Sequence, residues 1–162
     1  MKTETDGKTE PMEIRKAQDA DSDRIKSIVF TILEEYGLKP DSNSTDQDLD
    51  CIEASYADNG GYFGVVTEDD AIIATVGLHR ESETTCELRK MYCIPAGRGK
   101  GLGKKMLEFS LEKARELGFS RIVLETASPL REAIGLYKKY GFVEYKPDHL
   151  SKRCDQAYEL YL

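Results

Sequence analysis

Two periodicities alternate along the chain, a strand-like alternation of apolar and polar residues and a helical spacing of three and four. Glu13 to Ala17 alternates weakly and reads as a first strand. Asp21-Ser22-Asp23 offers an N-cap, after which Ile25, Ile28, Val29, Ile32, Leu33 and Tyr36 share one helical face that Gly37 ends. A loop rich in Pro, Asp, Ser and Asn covers 39–46, and a short helix is expected from about Asp46 to Tyr56 with Leu49 and Ile52 inward. Past the Asn59-Gly60-Gly61 turn, 62–67 and 71–78 read as two strands joined as a hairpin through Glu68-Asp69-Asp70. A further strand runs to Ile94, where Pro95 ends its ladder by lacking an N–H. From Leu102 the apolar residues Met106, Leu107, Leu111, Ala114 and Leu117 mark a long helix with one buried face, closed by Gly118. A buried strand over 121–126, a helix over 130–140 ended by Gly141, and strands over 142–145 and 156–162 complete the chain.

The order β-α-α-β-β-β-α-β-α-β-β predicts an α/β fold, one mixed sheet with helices on both faces, occupying residues 12–162 as a single domain. Met1 to Pro11 carries too little apolar surface to bury and is expected to be a disordered lead-in. At 162 residues and 40% hydrophobic, the chain is long enough for a real core. Its formal charge of -7 disfavours nucleic acid and anionic membrane surfaces as partners. No apolar run reaches the roughly 18 residues of a membrane span, and the polar N-terminus lacks the apolar stretch of a signal peptide. Cys51, Cys86, Cys93 and Cys154 form no C-x-x-C pair, and His79 and His149 add no metal-ligand spacing. No metal is therefore expected. Four free, buried thiols in a cytoplasmic protein are.

The chemistry concentrates where the strand ending at Ile94 meets the long helix. Gly97, Gly99, Gly101 and Gly103 alternate with larger residues, so the backbone can take positive φ and approach a ligand closely. The new helix adds unpaired N–H groups and a positive dipole end, flanked by Arg98, Lys100, Lys104 and Lys105. Together these make an anion site, most naturally for a phosphate or pyrophosphate. A Walker A loop does not fit, because Arg98 stands where its first glycine belongs and Lys105 where its Ser/Thr belongs. The dinucleotide fingerprint is one residue short. A plain glycine-rich turn that binds nothing remains the alternative at this point.

Arg98-Gly99-Lys100-Gly101-Leu102-Gly103 fits the pattern [Arg/Gln]-x-x-Gly-x-[Gly/Ala] after a strand, and Ala133-Ile134-Gly135-Leu136-Tyr137-Lys138-Lys139-Tyr140-Gly141-Phe142 fits A-x-x-L-Y-x-x-x-G-F. In both stretches the chain resembles the GNAT superfamily of acyl-CoA-dependent N-acetyltransferases, over nearly its whole length from Glu13. The resemblance implies a mostly antiparallel sheet splayed at the cofactor site and acetyl-CoA as cosubstrate. It implies that the amides from Arg98 to Lys104 cradle the pyrophosphate. It also implies that the pantetheine arm pairs with the backbone of Met91 and Cys93, as a strand would. Tyr137 takes the place of the family's general acid; an ordinary tyrosine, with a pKa of about 10, is protonated near pH 7. Glu87, at the start of the central strand, is the candidate base, with Glu125 as its rival. Where the family often has an asparagine before the last helix, this chain has Leu130, with Ser128 as the candidate substitute.

The acceptor is expected between the first two helices, the central strand and the last loop, with Tyr36, Arg89, His149, Arg153 and Asp155 as candidate lining groups. Arg89 and Arg153 could grip a carboxylate, which suits a small, amino-acid-like amine; the overall negative charge favours a cationic one. The leading expectation is N-acetylation of a small-molecule primary amine by direct attack, since no cysteine sits in a nucleophile–base motif. A non-catalytic acyl-CoA-binding regulatory module and an acetyltransferase acting on a protein or peptide amine are the alternatives. The resemblance also implies a homodimer.

Overall fold

Seven strands, β1 (Glu13–Lys16), β2 (Tyr62–Glu68), β3 (Ala71–Arg80), β4 (Thr85–Cys93), β5 (Arg121–Thr126), β6 (Val143–Glu144) and β7 (Gln156–Tyr161), form one sheet in the order β1-β2-β3-β4-β5-β7-β6. The structure is a computed structural model and describes residues 12–162; the lead-in expected over Met1–Pro11 lies outside the described residues. Neighbouring strands are antiparallel except β4 and β5, which are parallel. The β2–β3 hairpin turns at Asp69 and Asp70, both at positive φ (50° and 63°), as a two-residue hairpin of the favoured twist requires.

Helix α1 (Ser22–Glu35) covers one face of the sheet, and α2 (Leu102–Glu116) and α3 (Arg131–Lys139) cover the other. The division follows strand alternation: in β2, Val65 packs with Ile25, Ile28 and Leu33 of α1, whereas Val66 packs with Met106 and Leu107 of α2. The helix expected over 46–56 is instead a 3-10 turn at Gln47–Asp50 and one wide π-type turn at Glu53–Ala57. Leu49 and Ile52 point inward as expected, both fully buried. The strand expected over 142–145 shrinks to two residues, because Phe142 turns into the core against Tyr137.

Two irregularities of β4 shape the molecule's cleft. Its parallel register with β5 runs only from Thr85↔Arg121 to Glu87↔Val123, and beyond that the two strands part. From Leu88 to Cys93 the β5 side of β4 has no strand partner among the described residues. The second irregularity is a bulge opposite Thr75–Gly77, centred on Lys90, which sits at φ 55°. A lysine there strains the backbone by roughly 1–2 kcal/mol. The extra residue changes the parity of the strand. Cys86 and Leu88 pack on the α2 side, and so do Met91 and Cys93, which a regular strand would send to the opposite face.

Candidate active site

Where β4 and β5 part, a cleft of about 540 Å³ opens, floored by β4 and walled by α1, the start of α2 and the side of α3. Its two ends are built differently.

One end is the turn from Pro95 into α2. Gly97 and Arg98 donate their N–H groups backward, to Ile94 O and Pro95 O at 2.9 and 3.1 Å, and the next amide to find a backbone acceptor is Lys105, bonded to Gly101 O. The amides of Gly99 to Lys104 therefore have no backbone partner among the described residues, at the positive end of a 15-residue helix. Gly99 and Gly101 hold this shape at φ 78° and 72°, where a side chain would be strained. Gly103 is different: a Cβ there would meet only Leu136 Cδ2, at 3.7 Å, so the fold itself does not demand a glycine. A helical glycine that costs stability of about 1 kcal/mol and leaves open space on the cleft side marks room for a ligand. Arg98 braces the turn from within, through Nε to Cys93 O (3.1 Å) and a two-pronged pair with Glu35. The Lys100 and Lys104 side chains lie outside the cleft, near Glu68 (3.6 Å) and Glu108 (3.9 Å); their amides remain part of the turn.

At the other end, side chains dominate. Glu87 lines the cleft with 16% of its side chain exposed, its Oε1 accepting from Arg89 Nε. Burial raises its pKa, Arg89 opposes that, and the nearby Glu81 and Glu125 add to it. Glu125 also lines the cleft, one of its oxygens accepting from Ser151 N at 2.8 Å. Register places Glu87 beside Val123, so Glu125, two residues on, lies on the same face of the sheet. Tyr137, on α3, is 6% exposed and lines the cleft; burial first, and the neighbouring Tyr92 second, push its pKa well above the ordinary tyrosine value. Nothing among the described residues hydrogen-bonds its hydroxyl.

The sequence-derived residues divide accordingly. Tyr137, Glu87, Met91, Cys93, Arg98, Gly99, Gly101, Leu102, Gly103, Tyr36, Arg89 and Arg153 all line one cleft. Ser128 and Asp155 stand apart from that lining, bonded to each other: the N–H and hydroxyl of Ser128 donate to Asp155 at 2.9 and 2.6 Å. Leu130 lines the cleft in place of Ser128. His149 is exposed and stands apart from the lining. Cys51 is exposed, against the expectation of a buried thiol; Cys86 is buried, and Cys93 and Cys154 are half-buried in the cleft wall. The two candidate carboxylate grips are also occupied. Arg153 holds Asp46 through both terminal nitrogens at 2.7 Å, and Arg89 is shared between Glu87 and Glu81. Sequence reasoning missed Lys90, Tyr92 and Cys154 as lining residues. A lysine within an otherwise apolar strand end was the available signal for the first.

Comparison with known proteins agrees with this geometry. The family model described as the acetyltransferase (GNAT) family matches residues 27–142. An uncharacterized N-acetyltransferase of Escherichia coli (strain K12), YjgM, is 39% identical over 127 residues, 75% of this chain and 76% of that protein. Among solved structures, a GNAT-family acetyltransferase from Staphylococcus aureus Mu50 superposes with a TM-score of 0.86 at 24% identity, covering 93% of this chain and 98% of that one. A predicted acetyltransferase from Clostridium acetobutylicum, solved with acetyl-CoA, gives 0.69 at 26% identity over 86% and 94% of the two chains. With a splayed β4–β5 pair, an amide-lined turn into α2 and a matching family model over most of its length, the chain belongs to the GNAT family of acetyltransferases, the acyl-CoA-dependent acyltransferases.

Proposed function

We propose that the protein transfers an acetyl group from acetyl-CoA to the primary amine of a small cationic molecule, by direct attack. The observation that carries the donor half is the run of six unpartnered amides, Gly99 to Lys104, beside a strand edge left open from Leu88 to Cys93. Amides at a helix N-terminus suit a pyrophosphate, and an open strand edge suits the amides of a pantetheine arm. Acetyl-CoA, when bound, supplies the activated thioester. The turn would hold its phosphates, and the edge of Met91–Cys93 would orient the arm toward Tyr137.

The protein's own groups then handle protons. Glu87, with its pKa raised mainly by burial, is a stronger base than a free carboxylate and would take the proton from the acceptor ammonium. Tyr137, with its pKa pushed upward, keeps its proton near neutral pH and would deliver it from Oη to the departing sulfur. The thiols of Cys93 and Cys154 are both pushed up by burial, so neither is a ready thiolate; this supports direct attack over an acyl-enzyme.

The acceptor reading rests on which charges are already matched. Arg89 and Arg153 are engaged by carboxylates, so neither guanidinium is free for a substrate carboxylate. Glu87 and Glu125 each present a second oxygen with no donor among the described residues, on one face of the fork. Those groups favour an ammonium without a carboxylate beside it. Thiol release from acetyl-CoA, measured against diamines and polyamines, amino sugars, amino acids and short peptides, tests this. The expected result is a kcat/KM at least about tenfold higher for amines lacking a carboxylate; a preference for amino acids would overturn the cationic assignment.

A further inference from the structure

A chain of buried charges crosses from the loop after α1 to the floor of the cleft and on to the loop before β7. At its centre Lys90 Nζ lies 2.9 Å from Asp46 Oδ1 and 3.5 Å from Asp48 Oδ1, and it donates to Thr45 O at 3.2 Å, with only 4% of its side chain exposed. Asp46 is shared with Arg153, which also reaches Lys39 O at 3.4 Å, and it accepts from Asp41 N within its own loop. Asp48 accepts the Tyr56 hydroxyl with one oxygen; the other is buried and without a hydrogen bond, and Lys90 is the cation paired with it among the described residues.

The position of Lys90 gives this cluster a bearing on the reaction. Lys90 is the bulge residue of β4, held at φ 55° with its carbonyl accepting from the buried Thr75 hydroxyl at 2.7 Å. The next three residues, Met91 to Cys93, carry the open edge assigned to the donor. The same residue thus fixes the strand through its backbone and the loop 39–50 through its side chain. The loop contributes Ser44 and Thr45 to the cleft wall. Leu49 already anchors that loop by apolar burial, so holding it to the body of the protein does not by itself call for a buried ammonium.

We propose that Lys90 is a positioning residue, through which the acceptor-side loop 39–50 and the bulge of β4 are set in one fixed relation. The inference takes the cleft as the transferase's active site. Its consequence is that the acceptor-side loop takes its place from the bulge residue of β4, the loop held by the Lys90 side chain and the strand by its backbone.

The test compares wild type with Lys90→Gln/Asp48→Asn, which removes one charge of each sign and leaves the Asp46–Arg153 pair in place, and with Lys90→Arg, which keeps the cation. The double variant is expected to raise the acceptor KM about tenfold while the calorimetric Kd for acetyl-CoA stays within about twofold. Hydrogen exchange at the bonded amides of Asp41, Ser44, Asp46 and Gln47 should accelerate at least about tenfold, with α2 and β7 unchanged. Lys90→Arg should remain near wild type in both readouts. Wild-type exchange in 39–50 would overturn the proposal, as would an unchanged KM despite faster exchange. A uniform loss of protection, or an equal loss of acetyl-CoA affinity, would also overturn it by reducing Lys90 to general stability. The exchange comparison uses no acceptor, so failure to find one counts against the function proposed above and leaves this comparison to decide on its own.

Discussion

At the end of the cleft proposed for the donor the open groups are main-chain amides and a strand edge, whereas at the end proposed for the acceptor the lining is of side chains largely joined in ion pairs. The donor half is set mainly by short-range events, a strand that ends, glycines that take positive φ and a helix that begins, with the Arg98–Glu35 pair as a long-range brace. Its open groups are backbone amides, which do not titrate. The acceptor half depends on partners far apart in the chain, Arg153 with Asp46 and Lys90 with Asp48, brought together over the β4 bulge. There, a change of one charge alters several others. On the function proposed above, one half would hold the invariant donor and the other would select the acceptor.

That contrast breaks first on the donor side. A Cβ at position 103 would meet only Leu136 Cδ2, at 3.7 Å, so a side chain can leave the helix there toward the cleft; Gly103→Trp is expected to lower acetyl-CoA affinity at least about a hundredfold, near 2.7 kcal/mol, by calorimetry, with the melting temperature checking that the fold survives. Unchanged affinity would remove the turn from the donor site.

Acid should act on the other half. Burial alone would raise the pKa of Asp46, but Arg153, the charge of Lys90 and the Asp41 amide bring it down from its ordinary 3.8 to about 2. A depressed carboxylate stabilises the fold fully above its unfolded value and loses that contribution as pH falls through the folded one. About 2 kcal/mol should therefore disappear between pH 4 and pH 2. Urea titrations across that window check the size, and Asp46→Asn should flatten the dependence. Exchange in 39–50 should rise with acid before that in α2.

The smallest effect sharpens the join between the halves. Tyr137→Phe keeps the ring packed against Phe142 and removes only the hydroxyl, so kcat should fall about tenfold with acetyl-CoA affinity unchanged. An undiminished rate would return Tyr137 to a packing role.

The same contrast explains what could be read in advance. Helices and strands followed from apolar spacing, and the donor turn from glycines between a strand and a helix, because both are local patterns. The partners of Arg89, Glu87 and Glu81, stand two and eight residues back and were nearer to hand. Whether Arg153 was free could not be read, since Asp46 lies 107 residues away and only the tertiary fold brings it near. Ser128 looked available for the same reason: its partner Asp155 lies 27 residues away. The segment 46–56 broke into two short turns where Asp46, Asp48 and Tyr56 answer to the buried cation and to one another rather than to a helical ladder.

The bulge at Lys90 has one more consequence, for solubility. An unpaired strand edge invites pairing with another polypeptide and so promotes aggregation, and proteins blunt such edges with kinks and prolines. In β4 the kink at Lys90 and Pro95 after the strand leave only Met91 to Cys93 as a regular open run. Three residues are too few to nucleate intermolecular β-structure, yet they are enough to line up with a slender, amide-bearing ligand.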